Sequence, residues 1–127
     1  MQASLLIFLG AGLGGVTRHF VNGVAASTLG TEFPWGTMLI NVTGSLAMGL
    51  LVGYLAFRGA GGWTQHMRLF VATGVLGGYT TFSTFSLEAM LLIERNQFGA
   101  AAAYIGSSVL LGVVGLWAGL ALMRSLT

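Results

Sequence analysis

Cysteine and lysine are both missing from this 127-residue chain, and proline occurs once. Without cysteine there is no disulfide framework and no thiolate metal site. Without lysine there is no phosphate-cradling glycine loop of the kind that ends in that residue. Charge is scarce too: only 6% of residues are Asp, Glu, Lys or Arg. The acids are Glu32, Glu88 and Glu94, and the bases are five arginines, Arg18, Arg58, Arg68, Arg95 and Arg124. The sequence pI near 9.7 therefore reflects little acid, and no basic patch is present for nucleic acid. His19 and His66 stand far apart, with no acids at metal-ligand spacing. No nucleophile, base and orienting group occur together, which argues against an enzyme.

Hydrophobic residues make up 55% of the chain and mean hydropathy is +0.86, a composition suited to lipid rather than water. A bilayer core takes about 20 predominantly apolar residues per helix. Uncharged runs of that length predict an all-α integral membrane protein, with one domain over 1–127 and four helices at about 4–27, 35–57, 69–93 and 98–123. The second and fourth spans carry no charge, the first is interrupted by Arg18 and His19, and the third holds Glu88. The first span lacks the basic leader of a cleaved signal peptide and reads as a retained helix. The connections, 28–34, 58–68 and 94–97, are too short to fold separately.

Basic residues in short loops set orientation. Arg58, Arg68 and Arg124 fall on one face; Arg95 falls on the other, joined by Arg18 if that residue lies near the helix end. Three against two would let copies insert both ways and pair antiparallel, whereas three against one would give a single orientation; both readings stay open. Small residues at four-residue steps (Gly10 and Gly14; Ser45, Gly49 and Gly53; Gly115 and Gly119) let helix backbones touch. They serve either association of subunits or packing within one chain.

The third span contains the stretch GGYTTFSTFSLE, residues 77–88, a glycine pair and six hydroxyl residues inside an apolar segment. Gly74, Gly77 and Gly78 followed by Thr80 and Thr81 have poor helix propensity, so a break is expected there. At membrane depth a broken helix survives only in protein or beside a wet cavity, and its freed carbonyls suit cations. After the break, residues three or four apart share a face: Phe82 with Phe85, Ser83 with Ser86, Thr80 with Thr84. Aromatic ring edges are positive and attract anions, and neighbouring hydroxyls would donate to an ion shedding water. The second helix adds a stripe of Thr37, Asn41 and Ser45, and the fourth adds Tyr104, Ser107 and Ser108. Asn41 and Tyr104 carry most weight, since each needs a partner beyond its own turn. Arg18 is either an electropositive vestibule or an anchor at the membrane face, and Glu88 either caps a wet mouth or is an interfacial carboxylate.

Gly14, Gly15 and Arg18 in the first helix, Asn41 and Gly44 in the second, and above all GVLGGYTTFSTFS over 74–86 resemble the Fluc (CrcB) fluoride channel family, along the whole chain. The resemblance implies an antiparallel, dual-topology homodimer in a microbial inner or plasma membrane that exports fluoride passively through two pores at the subunit interface. It implies that Phe82 and Phe85 present ring edges to fluoride, that Asn41 donates its amide, and that Ser83, Thr84, Tyr104 and Ser108 form a polar track. It further implies a structural sodium ion held by the carbonyls of Gly77 and Thr80 of both subunits, with Arg18 at the aqueous entrance. A hydroxyl found one turn beyond Ser108 in some relatives is Gly112 here. The residues by themselves suit any small anion; fluoride comes from the family alone. A proton-coupled exporter resembling the small multidrug resistance transporters would need a deep carboxylate, for which only Glu88 is a candidate. A non-transporting membrane subunit would tolerate loss of Asn41, Phe82 and Phe85.

Overall fold

A computed structural model describes residues 1–57 and 61–126, and all regular structure among them is helical. Helix α1 spans Gln2–Leu29 and α2 spans Trp35–Phe57. Helix α3, Gln65–Arg68, continues through a π-helical stretch, Leu69–Leu76, into α4, Gly77–Tyr79. After a break come α5, Phe82–Glu94, and α6, Phe98–Ser125. Among the described residues, α1, α2 and α6 are long and apolar enough to cross a membrane. The third expected span comes, with the break expected in it, as two rods of about 22 and 20 Å. It also starts inside the expected 58–68 connection, because the Thr64 hydroxyl accepts the Met67 amide at 3.2 Å and caps α3. Arg58, which the orientation argument counts, lies outside the described residues.

Two backbone devices make the tight turns. Gly30, at φ 85°, ends α1 in a conformation open to glycine. Asn96, at φ 60°, ends α5: its amide reaches the Ile93 carbonyl at 2.9 Å while the Gln97 amide reaches Leu92 at 2.9 Å, the paired bonds of a Schellman cap.

The helices pack as two close pairs, α1 along the π-helical stretch and α4, and α2 along α6. Glycine accounts for both. A Cβ on Gly10 would lie 2.5 Å from the Phe70 carbonyl oxygen, and one on Gly78 would lie 2.5 Å from that of Ala11. On the other pair, a Cβ on Gly119 would lie 2.6 Å from the Leu50 amide and one on Gly53 would lie 2.8 Å from Met123 Cβ. Within the chain, Gly10, Gly14, Gly49, Gly53 and Gly119 are thus used for close helix contact. The outer faces carry exposed Leu5, Phe8, Phe20, Leu110, Val113 and Trp117, the apolar surface a lipid-facing helix presents.

The break itself falls later than glycine content suggests. Gly77 is helical, at φ −64° and ψ −37°; the chain turns at Thr80, ψ 157°, and Thr81, φ −152° and ψ 111°. Gly74 and Gly78 are there for contact with α1. The hydroxyls of both threonines bond the backbone around the interruption: Thr80 Oγ1 donates to the Leu76 carbonyl at 3.2 Å, which the Thr80 amide also reaches at 3.1 Å, while Thr81 Oγ1 replaces a backbone partner by accepting the Thr84 amide at 3.3 Å and caps α5.

Candidate functional site

The break faces the polar stripe of α2, and α2 makes its bonds in register with it. Thr37 donates to the Glu88 carboxylate. One turn on, Asn41 grips the break at both ends of one residue: its Nδ2 donates to the Thr81 carbonyl at 3.0 Å, and its Oδ1 accepts the Thr81 amide at 2.8 Å. Ser45, a further turn on, lines an open groove. Asn41 therefore has one N–H left over after satisfying the chain.

That groove, about 440 Å³, runs between α2, α5 and α6. Asn41, Thr80, Thr81 and Ser108 line its polar part, Phe82 and Phe85 one wall, and Val109, Val113 and Leu116 its apolar part. The Phe82 ring is 78% exposed and sits 5.6 Å from that of Phe85, which in turn sits 5.1 Å from Tyr104. Phe33 closes the row edge-on to Tyr104 at 5.6 Å.

Among the described residues, two buried hydroxyls in this region make no hydrogen bond of ordinary geometry. Tyr104 is fully buried and Ser108 is 9% exposed, yet neither Tyr104 Oη nor Ser108 Oγ makes a hydrogen bond. Tyr104 nonetheless lies in the same polar cluster as Thr37 and Glu88. A buried hydroxyl without a partner costs about 1–3 kcal/mol, so both are positions where a further hydrogen bond would be favourable. Ser107, which helical spacing allowed equally, is back-bonded to the Ala103 carbonyl at 2.5 Å.

The remaining candidates lie on other walls of the chain. A second cavity, about 210 Å³, is lined by Arg18, His19, Asn22, Thr37, Thr81 and Thr84, with no carboxylate on its wall. Thr84 thus faces Arg18 rather than Ser108, because α5 turns one hydroxyl face toward α1. Ser83 is exposed, lines neither cavity, and its hydroxyl meets Thr81 Oγ1 at 3.5 Å. Glu88 lines a separate small cavity with Glu32 and Arg95, and its carboxylate is held by Thr37. Thr37 joins the two regions, since it lines the Arg18 cavity and bonds Glu88.

Gly77 and Thr80 lose the donors that an unbroken helix would supply. The Thr81 amide, due at Gly77, goes to Asn41; the Thr84 amide, due at Thr80, goes to Thr81 Oγ1. Gly77 is exposed, and a Cβ there would meet only the Ala72 carbonyl oxygen, at 3.6 Å. Among the described residues no group of three or more His, Cys, Asp or Glu side chains forms a metal site.

Thr81 entered the sequence reading only as part of the expected break; the signal for its capping role was its place just before a helix restart, where a threonine caps well.

A family model described as CrcB-like protein, Camphor Resistance (CrcB), matches residues 5–120. The chain is 59% identical over 123 residues to the fluoride-specific ion channel FluC of Rhodopseudomonas palustris strain BisB5, covering 97% of this chain and 98% of that one. It is 62% identical over 123 residues to FluC 2 of Nitrobacter hamburgensis, with the same coverage. Identity to FluC of Beijerinckia indica subsp. indica is 60% over 127 residues, all of both chains.

Proposed function

The chain belongs to the CrcB-like family, and from that premise we propose that it is a fluoride-selective channel of a bacterial cell membrane, a multi-pass conductor of the anion and not an enzyme. The observation that carries the reading within this molecule is the pair of buried hydroxyls, Tyr104 and Ser108, that lack acceptors beside the Phe82 and Phe85 rings. Uncharged donors and ring edges take up an anion as it sheds water without trapping it, and conduction needs such weak sites. Arg18 supplies positive potential in a cavity without carboxylates and concentrates anions at its mouth. From there the ion passes the Thr37 and Thr84 hydroxyls, then the break, where Asn41 offers its spare N–H.

One chain leaves this path open to lipid along the groove, with Asn41, Thr80 and Ser108 on its wall. Polar groups at that depth need protein or water against them. A second copy, inserted antiparallel to give a dual-topology homodimer, closes the groove on each side and makes two pores. The exposed Gly77 supports such a contact, because its lack of a side chain serves nothing within its own chain. The carbonyls of Gly77 and Thr80, hard neutral donors stripped of their amides, fit a sodium ion shared between the copies. When bound, that ion supplies fixed positive charge at the crossing of the two broken helices.

Fluoride and chloride efflux from liposomes holding the purified protein tests the proposal. Fast fluoride release, negligible chloride release and collapse of the flux in Phe82→Ile are expected. Retention of fluoride by liposomes holding folded protein would overturn it.

A further inference from the structure

We propose that the side chains of Asn41 and Thr81 are positioning residues that keep the Gly77 and Thr80 carbonyls free to bind a cation; this deepens the sodium reading above and rests on it. A helix break does not by itself leave a carbonyl available, since the nearest amide competes for it. In a helix, the amide of residue i closes on the carbonyl of residue i−4. Thr81 and Thr84 are therefore the competitors for Gly77 and Thr80. Both amides are occupied by side-chain oxygens instead, Thr81 N–H by Asn41 Oδ1 at 2.8 Å and Thr84 N–H by Thr81 Oγ1 at 3.3 Å.

The two decoys are linked through one residue. Asn41 Nδ2 also holds the Thr81 carbonyl at 3.0 Å, so the peptide units on both sides of Thr81 are gripped from α2. That grip holds Thr81 extended, at φ −152° and ψ 111°, and the extended residue aims its Oγ1 at the Thr84 amide as an N-cap. Loss of the Asn41 acceptor lets the Thr81 amide swing back toward Gly77, healing the helix and withdrawing a ligand. The same Asn41 lines the groove, so a single side chain joins the anion path to the cation cradle.

The chemistry separates this role from anion donation. Thr81→Ser keeps the capping hydroxyl. Asn41→Leu and Thr81→Val abolish those acceptors, and Asn41→Ser provides a milder variant too short to reach. The measurement is the melting midpoint of purified protein in micelles as sodium chloride replaces N-methylglucamine chloride at constant ionic strength. The wild type is expected to rise and saturate with sodium. Thr81→Ser should saturate at a similar concentration, while Asn41→Leu, Asn41→Ser and Thr81→Val should need about tenfold more or fail to saturate, the effect of one lost hydrogen bond. A merely structural role would lower every midpoint in sodium-free buffer and leave the half-saturating concentration alone. Unchanged half-saturation in Asn41→Ser and Thr81→Val would overturn the inference and leave the sodium site standing. A wild type indifferent to sodium would remove the site itself, and the inference with it.

Discussion

Replacing Tyr104 with phenylalanine deletes one oxygen and should separate conduction from folding. The ring stays where it is, fully buried and packed 5.1 Å from Phe85 and 5.6 Å from Phe33. The oxygen that leaves makes no hydrogen bond of ordinary geometry among the described residues, although Thr37 and Glu88 lie within its electrostatic reach. A desolvated hydroxyl without a partner costs about 1–3 kcal/mol, partly offset by the small void left when it is removed. Tyr104→Phe should therefore be as stable as the wild type or more stable by about 1–2 kcal/mol. If the hydroxyl donates to fluoride, flux should fall by about tenfold or more, since a hydrogen bond to a charged group contributes about 1.5–3 kcal/mol. The assays are thermal unfolding in micelles, followed by near-ultraviolet circular dichroism, and fluoride efflux from liposomes made with the same preparation. A variant that loses 1 kcal/mol or more, an amount set by one ordinary hydrogen bond, while conducting normally would refute the reasoning. Tyr104 would then be a bonded core residue.

Ser108→Ala should behave like Tyr104→Phe, with reduced flux and undiminished stability, whereas Ser107→Ala should alter neither because that hydroxyl is spent on Ala103; the same two assays decide. Gly119→Ala places a methyl group 2.6 Å from the Leu50 amide and 2.7 Å from the Leu46 carbonyl oxygen, so unfolding should show a loss of about 1–3 kcal/mol. Gly23→Ala, in open space on α1, should be neutral or stabilising by up to about 1 kcal/mol in the same measurement. Thr37→Val leaves the Glu88 carboxylate without its donor and should cost about 1–3 kcal/mol, with Thr37→Ser restoring the loss.

Several parts of the site were legible before any coordinates. The Thr37, Asn41 and Ser45 stripe follows from a four-residue step on one helix, and all three do face the broken segment or its groove. The pairing of Phe82 with Phe85 follows from a three-residue step and appears as a ring contact. The break was legible as well, in the glycines leading to Thr80 and Thr81, and it falls at the two threonines. Glycine weakens a helix and also lets helices touch, and composition does not separate the two uses. Gly78 lies against Ala11, so its φ and ψ stay helical.

The sequence by itself determined the solvent, the helical class and the apolar spans, because hydropathy and periodicity are properties of residues close together in the chain. It also located the polar material: hydroxyls on three helices, one arginine in the first, one carboxylate late in the third. Tertiary structure alone decided which of these meet. Whether Ser107 or Ser108 points inward depends on the rotation of α6 about its axis, set by Gly115 and Gly119 closing on α2. Thr84 joins Arg18 rather than Ser108 because α1 and α6 lie on different sides of α5. Asn41 turns out to grip Thr81 because α2 passes the break at hydrogen-bond distance, a contact between residues 40 positions apart. Such contacts depend on how whole helices rest on one another, and local sequence holds only half of each.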